Sequence, residues 1–311
     1  MRVAVLGSPI RHSLSPVLHA AAYRELGLTD WSYDAIECDA DGLAGLLDSL
    51  GPDWAGLSLT MPLKQAVLPL LDQAEQLVTD VGAANTVVLR AGRRAGYNTD
   101  VPGMAAALRE AGVGVAGSVL VLGAGATACS ALAALHGAGA TDVAVEVRDA
   151  SRAGLVREVA ARLGLRIRLT ALTADGVRPA SPGPASPGPA NAELANAEPA
   201  DSETRGDEAA EAGQSWQLLI STVPAGAADG VAGQIAAGDL VAEAVFDVVY
   251  DPWPTLLANA AVTAGVTAIS GFELLLQQAA GQVKLMTGQR APVAAMRQAG
   301  LAEIARRQDQ P

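Results

Sequence analysis

Val119-Leu120-Val121-Leu122-Gly123-Ala124-Gly125-Ala126-Thr127-Ala128 is the stretch that decides the architecture of this chain. Four apolar residues read as a buried strand, Gly123-x-Gly125-x-x-Ala128 follows at once, and an alanine-rich helical run comes next. That context turns a glycine-rich turn into a dinucleotide-binding fingerprint. Gly123 permits the tight turn, and Gly125 lets a pyrophosphate approach the backbone. At the helix start, the N–H groups of Ala126, Thr127 and Ala128 and the positive end of the helix dipole suit phosphate oxygens. Further apolar runs at Val143 to Val147, Arg166 to Leu169, Leu218 to Ser221, Val241 to Val245 and Thr267 to Ser270 supply the strands of a doubly wound Rossmann sheet.

The loop after the second of these strands, Val147-Arg148-Asp149-Ala150-Ser151-Arg152, selects the nucleotide. An acid ending the strand would favour a ribose hydroxyl, whereas Arg148 and Arg152 offer two guanidinium groups to a 2′-phosphate. Asp149 is the one residue that points the other way. The balance favours NADP (NADPH).

Upstream, short apolar runs alternate with helical patterns, the signature of βαβ units and a largely parallel sheet. Strands are predicted at Val3 to Leu6, Ser32 to Cys38 and Gly56 to Leu59. Helices are predicted at Pro16 to Leu26, Gly42 to Leu50 and Lys64 to Asp72, and extended chain from there through Thr86-Val87-Val88-Leu89. A helix follows from Pro102 to Glu110, and two more, Phe272 to Gly288 and Ala291 to Arg307, close the chain. At 311 residues two domains are expected. The reading is α/β: an N-terminal α/β domain over 1–101, completed by C-terminal helices of 272–311 that pack back on it, and a Rossmann domain over 102–271. An insertion at about 174–214 interrupts the second. It holds eight acids and two arginines, half of the net charge of −12, with little apolar content to offset the entropy of ordering, so it is expected to be disordered. Removal of residues 180–213 is expected to leave kinetics unchanged.

The acidic balance argues against a nucleic acid or an anionic membrane as partner. The apolar run after Met1 is too short for a signal peptide. Cys38 and Cys129 and the three histidines lack metal-ligand spacing, so no metal is expected, and a reducing cytoplasm fits. Both monomer and homodimer are open.

Four motifs in the first hundred residues put small polar side chains at strand ends and helix starts, where such sheets open their crevice. They are Gly7-Ser-Pro-Ile-Arg-His-Ser13-Leu-Ser15-Pro-Val-Leu-His, Ser58-Leu-Thr60-Met-Pro-Leu-Lys64, Gly82-Ala-Ala-Asn85-Thr and Asn98-Thr-Asp100-Val-Pro-Gly. Each has an ordinary structural alternative: Ser15 as an N-cap before Pro16, Asp100 at a helix start, Lys64 as a solvated charge, Asn85 in a turn. Their order and separations resemble the shikimate dehydrogenase family over nearly the whole chain except the insertion.

The resemblance implies an NADPH-dependent reduction of 3-dehydroshikimate to shikimate in aromatic amino acid biosynthesis. It implies that Lys64 and Asp100 are the catalytic pair, that Ser13 and Ser15 bind the substrate carboxylate, and that Thr60, Asn85 and Asp100 meet ring hydroxyls. Tyr250, in Asp247-Val-Val-Tyr250, and Gln278, in Gly271-Phe-Glu-Leu-Leu-Leu-Gln-Gln278, resemble the family's substrate-site tyrosine and glutamine. Thr222, Val248 and Gly271 fall near the nicotinamide. Met61, Ala84, Val101-Pro102 and Ser221-Thr-Val-Pro224 depart from the usual pattern, and the last of these touches the nicotinamide region. The chemistry asks for the same groups, since charge grows on a ketone oxygen as hydride arrives and a nearby cation lowers the barrier. An NAD-using quinate/shikimate dehydrogenase and a catalytically silent nucleotide-binding relative are the alternatives.

Overall fold

The chain adopts two packed α/β units in a computed structural model that describes residues 1–173, 176–177 and 214–309. The first contains β1 (Arg2–Gly7), α1 (Ser15–Glu25), β2 (Ser32–Glu37), α2 (Ala40–Asp48), β3 (Trp54–Leu59), α3 (Leu63–Ala66), β4 (Gln73–Ala74), α4 (Gln76–Val81), β5 (Thr86–Arg90) and β6 (Arg93–Tyr97). Its sheet runs β2-β1-β3-β5-β6-β4. β1 pairs in parallel with β2 and β3, as the alternating pattern predicts, but β5 is antiparallel to both β3 and β6. The sheet is therefore mixed, which corrects the expectation of a largely parallel one. The reversal from β5 to β6 is made by Ala91 and Gly92, whose φ angles of 49° and 73° give the two-residue turn that suits a right-twisted hairpin. With alanine in place of the usual asparagine or aspartate, that turn carries little sequence signal.

Two further local differences have physical causes. The helix predicted from Lys64 is only four residues long and passes into a 3-10 turn at Leu68–Leu70, where Pro69 has no N–H to continue an α-helical ladder. The stretch read as extended contains α4, whose helix-poor Val78, Thr79 and Val81 are held by burial of both valines and by Gly82 at φ 67°, which closes its C-terminus.

The second unit comprises α5 (Asp100–Glu110), β7 (Ser118–Leu122), α6 (Ala126–Gly137), β8 (Asp142–Val147), α7 (Gly154–Leu163), β9 (Ile167–Thr173), β10 (Gly176–Val177), β11 (Gln214–Ser221), α8 (Asp229–Ala237), β12 (Leu240–Asp247), α9 (Leu256–Thr263) and β13 (Thr267–Ser270). Its order is β10-β9-β8-β7-β11-β12-β13, parallel throughout except for β10. Without that edge strand this is the doubly wound 3-2-1-4-5-6 arrangement, with the switch point between β7 and β11. The last helices, α10 (Gly271–Thr287) and α11 (Val293–Gln308), return to the first unit: Phe272, Leu276, Val283 and Met296 share a buried cluster with Val3, Val5, Leu14 and Leu18.

Most of the expected insertion lies outside the described residues, but Gly176, Val177 and Gln214 belong to strands, which narrows it. The topology bears on the expectation that residues 180–213 can be removed without effect, because β10 could not then keep its place. β10 and β11 are four strand positions apart, about 19 Å at the usual spacing. The two residues left between Val177 and Gln214 would reach only about 11 Å. Among the described residues no helix is long and apolar enough to cross a membrane.

Candidate active site at the junction of the two sheets

The polar motifs converge because each sits where a strand stops. The β1 end leads through residues 8–14 to Ser13 and Ser15, the β3 end to Thr60 and Lys64, and the β6 end to Asn98, Thr99 and Asp100. Together with Asn85, Tyr250, Gln278, Thr127, Val248 and Gly271, these ends wall a cavity of about 320 Å³. Asn98 and Thr99 stand behind the wall and shape the turn into Asp100. Residues expected from the first domain and from the nucleotide-binding side therefore face one space.

Lys64 Nζ donates to Asp100 Oδ2 at 2.7 Å, with the two side chains only 16% and 6% exposed. This is not the solvated charge of the ordinary alternative. Asp100 Oδ1 accepts from Asn85 Nδ2 at 2.8 Å, and the same Asn85 amide faces Gln278 Oε1 at 3.3 Å. Asp100 does start α5, but its carboxylate is not the cap. Asn98 Oδ1 takes that part, accepting the N–H groups of Asp100 and Val101 at 3.0 and 3.2 Å.

A similar division of labour holds at α1. Ser15 is its first residue rather than its N-cap, and Ser13 Oγ accepts the Ser15 N–H at 3.2 Å. The Ser15 side chain is buried, only 4% exposed, and borders the cavity. Tyr250 approaches from the other wall. Burial raises its pKa above the usual phenolic value, opposed by the Arg307 guanidinium and a bond from the Leu14 backbone.

On the nucleotide side, Gly123 has φ 113°, and a Cβ there would stand 2.5 Å from Thr222 Oγ1. Thr222 itself is anchored by its N–H and hydroxyl to the Leu122 carbonyl. Gly125 is the N-cap of α6 and contributes no side chain, so the first-turn N–H groups are left for a ligand. A Cβ at Gly271 would lie 1.9 Å from the Val248 carbonyl oxygen, so the chain can pass Val248 this closely only without a side chain. These are the features a dinucleotide needs: a bare helix N-terminus at the switch point for the phosphates, and a backbone-lined edge on the catalytic cavity for the ring.

Arg148 is exposed at the end of β8. The Arg152 side chain lies outside the described residues. Asp149, the residue that argued for a ribose, is engaged locally, its Oδ1 accepting from Ser151 N and Oγ at 2.9 and 2.6 Å as the cap of the turn Ala150–Ala153.

Four residues with a part here were given no individual role from the sequence: Ser58, Thr86 and Thr99, which lie within the quoted motifs, and Gln282, which borders the cavity with Ser58; Thr86 and Thr99 hold Asn85. For Gln282 a signal existed, since it follows Gln278 by four residues on the same helical face. For the threonines none did.

Comparison with known proteins agrees with this arrangement. Residues 5–87 match the model of the shikimate dehydrogenase substrate binding domain, and residues 271–299 match that of the shikimate 5′-dehydrogenase C-terminal domain. A shikimate dehydrogenase (NADP(+)) from a Geobacter species is 36% identical over 97% of this chain and 94% of its own length. Among solved structures, the shikimate dehydrogenase of Mycobacterium tuberculosis is 38% identical with TM-score 0.76, covering 97% of this chain and 99% of its own. The Thermus thermophilus enzyme, solved in complex with NADP(H) and shikimate, is 30% identical with TM-score 0.73, covering 97% and 99%. With near-complete coverage at this identity, the chain belongs to the shikimate dehydrogenase family.

Proposed function

We propose that this chain catalyses the reversible NADPH-dependent reduction of 3-dehydroshikimate to shikimate, a step of the shikimate pathway. The observation that carries the reading is the part-buried Lys64–Asp100 pair in a cavity whose far wall is Thr127, Val248 and Gly271. A cation fixed in a partly dehydrated pocket stabilises a developing alkoxide far better than one in water. One Lys64 N–H is held by Asp100, which leaves two for the ketone oxygen. Asp100 orients the ammonium and, with Asn85 and Thr60, holds ring hydroxyls. Ser13 and Ser15, at the start of α1, receive the carboxylate together with Tyr250. Gln278 completes the polar wall beside Asn85.

NADPH supplies the hydride when bound. We assign its pyrophosphate to Gly123, Gly125 and the N–H groups of Ala126, Thr127 and Ala128, its 2′-phosphate to Arg148 and Arg152, and its nicotinamide edge to Thr222, Val248 and Gly271. The engagement of Asp149 Oδ1 in the next turn weighs against the argument for NAD. We assign residues 1–101 with 272–311 to substrate binding and 102–271 to the nucleotide. The acidic charge and the two buried free cysteines support a cytoplasmic enzyme without a nucleic-acid partner.

The test is a steady-state assay of two cofactors against two substrates. kcat/KM is expected to favour NADPH over NADH and shikimate over quinate. Equal or reversed preferences would sink the assignment.

A further inference from the structure

Helix α10 carries two glutamines one turn apart. Both border the cavity, but Gln282 is only 1% exposed and every hydrogen-bonding position of its amide is engaged. Its Oε1 accepts from Ser58 Oγ at 2.9 Å and meets His19 Nε2 at 3.3 Å. Its Nε2 donates to the Asn85 backbone oxygen at 3.3 Å and to Thr86 Oγ1 at 3.1 Å. His19 is fully buried, and burial lowers its pKa to about 3, so the ring is neutral. The Tyr23 hydroxyl lies 3.5 Å from Nδ1 and can donate there, which leaves the ring proton on Nε2, facing Gln282. Two donors on one side and a carbonyl on the other give this amide a single orientation.

That orientation has a consequence downstream. Thr86 accepts from Gln282, so its own proton goes to Asn85 Oδ1 at 2.9 Å. Asn85 then turns its NH₂ to Asp100 Oδ1 at 2.8 Å, and the other Asp100 oxygen holds Lys64 at 2.7 Å. The Thr99 N–H, 2.8 Å from Asn85 Oδ1, supports the same setting from the opposite side. Backbone satisfaction alone does not explain Gln282, because the Asn85 carbonyl already accepts from Leu59 N at 2.8 Å. An apolar side chain of similar volume would fill the space as well.

We propose that Gln282 is a positioning residue for the reaction: through Thr86 it fixes which edge of the Asn85 amide meets Asp100, and so sets the Lys64–Asp100 pair. The inference rests on that pair being catalytic, as argued above. Gln282 and Thr86 form a relay behind the site, anchored in the first unit by His19 and Ser58 and carried on a helix from the far end of the chain.

The experiment compares the whole protein with Gln282→Met, Thr86→Val, Thr86→Ser and the double variant Gln282→Met/Thr86→Val, measuring kcat, KM for shikimate, NADP Kd and Tm. Gln282→Met and Thr86→Val are each expected to lower kcat roughly 10–100-fold, the range of a small misplacement at the chemistry, with NADP Kd within about twofold of wild type. Thr86→Ser keeps the hydroxyl and should stay within about threefold, and the double variant should be no worse than the poorer single, because both cut one chain. A fall in Tm with kcat retained would overturn the proposal, as would a Thr86→Ser as damaged as Thr86→Val, or losses that multiply in the double variant. If Gln282→Met fails to fold, the two Thr86 variants decide. A wild-type protein that does not turn over shikimate with NADP would overturn the functional reading itself, and this inference with it.

Discussion

Lys64 has one carboxylate partner, and that partner is held on its other side by Asn85. Removing the ammonium therefore leaves Asp100 still hydrogen-bonded and the nucleotide surface untouched. Lys64→Ala is expected to lower kcat by about 10²–10⁴-fold, the range for losing a proton-transfer or oxyanion-stabilising group, with NADPH affinity changed less than about twofold. Stopped-flow turnover and a fluorescence titration check this, and normal turnover would reduce Lys64 to a structural cation. Lys64, Asp100 and Asn85 were legible as candidates because the order and separation of their motifs resemble a known family. Ser58 and Thr86 were not, because a hydroxyl in a strand acquires its part only from what lies 3 Å away, and those neighbours come from distant segments.

Elements show the same contrast between local chemistry and context. The fingerprint at Gly123 was readable because a strand, a turn needing φ 113° and a helix start follow one another directly in the chain. The loop after β8 was only half readable. Its arginines were visible, but whether Asp149 would face a ribose or cap the next turn depended on backbone geometry. Its Oδ1 caps. Asp149→Ala is expected to loosen that turn by about 1 kcal/mol, the typical worth of a cap, and so to raise KM for NADPH without improving kcat/KM for NADH. A lower KM for NADPH would show instead that Asp149 repels the 2′-phosphate. The hairpin at Ala91-Gly92 and helix α4 escaped the sequence reading for a related reason: both are held by pairing and burial against their own propensities.

Two buried ionisable groups contribute to the pH response of the whole molecule in opposite senses. Glu146, on β8, has one carboxylate oxygen on Thr170 and the other buried without a hydrogen-bond partner, and burial pushes its pKa from 4.5 up to about 7. The folded state thus holds its proton more tightly than the unfolded state, and this contribution to stability, full below about pH 4.5, is lost as pH rises through 7. His19 works in the opposite sense: its pKa drops from 6.5 to about 3, so its contribution is full above pH 6.5 and lost on acidification towards 3. The two slopes oppose each other between pH 4.5 and 6.5. Glu146→Gln is expected to raise Tm at pH 8, where the buried carboxylate would be ionised, and to steepen the loss of Tm between pH 6.5 and 5. Thermal melts across that range would refute this if the variant and the wild type run parallel. Shortening the acidic segment gives a second test. A deletion that leaves about 15 residues between Val177 and Gln214 can cross the four strand positions and is expected to keep kcat/KM within about twofold, whereas removing 180–213 outright should keep β10 from its place in the sheet. Equal activity in both would show that the two-residue edge strand β10 is dispensable. Strands, helices, the nucleotide turn and the reactive side chains could be read along the chain because each depends on residues within a turn or two of one another. The mixed first sheet, the relay through Gln282 and the span the acidic segment must cross arise from packing, where segments up to 263 residues apart meet in one dry interior and most buried polar groups find a partner there.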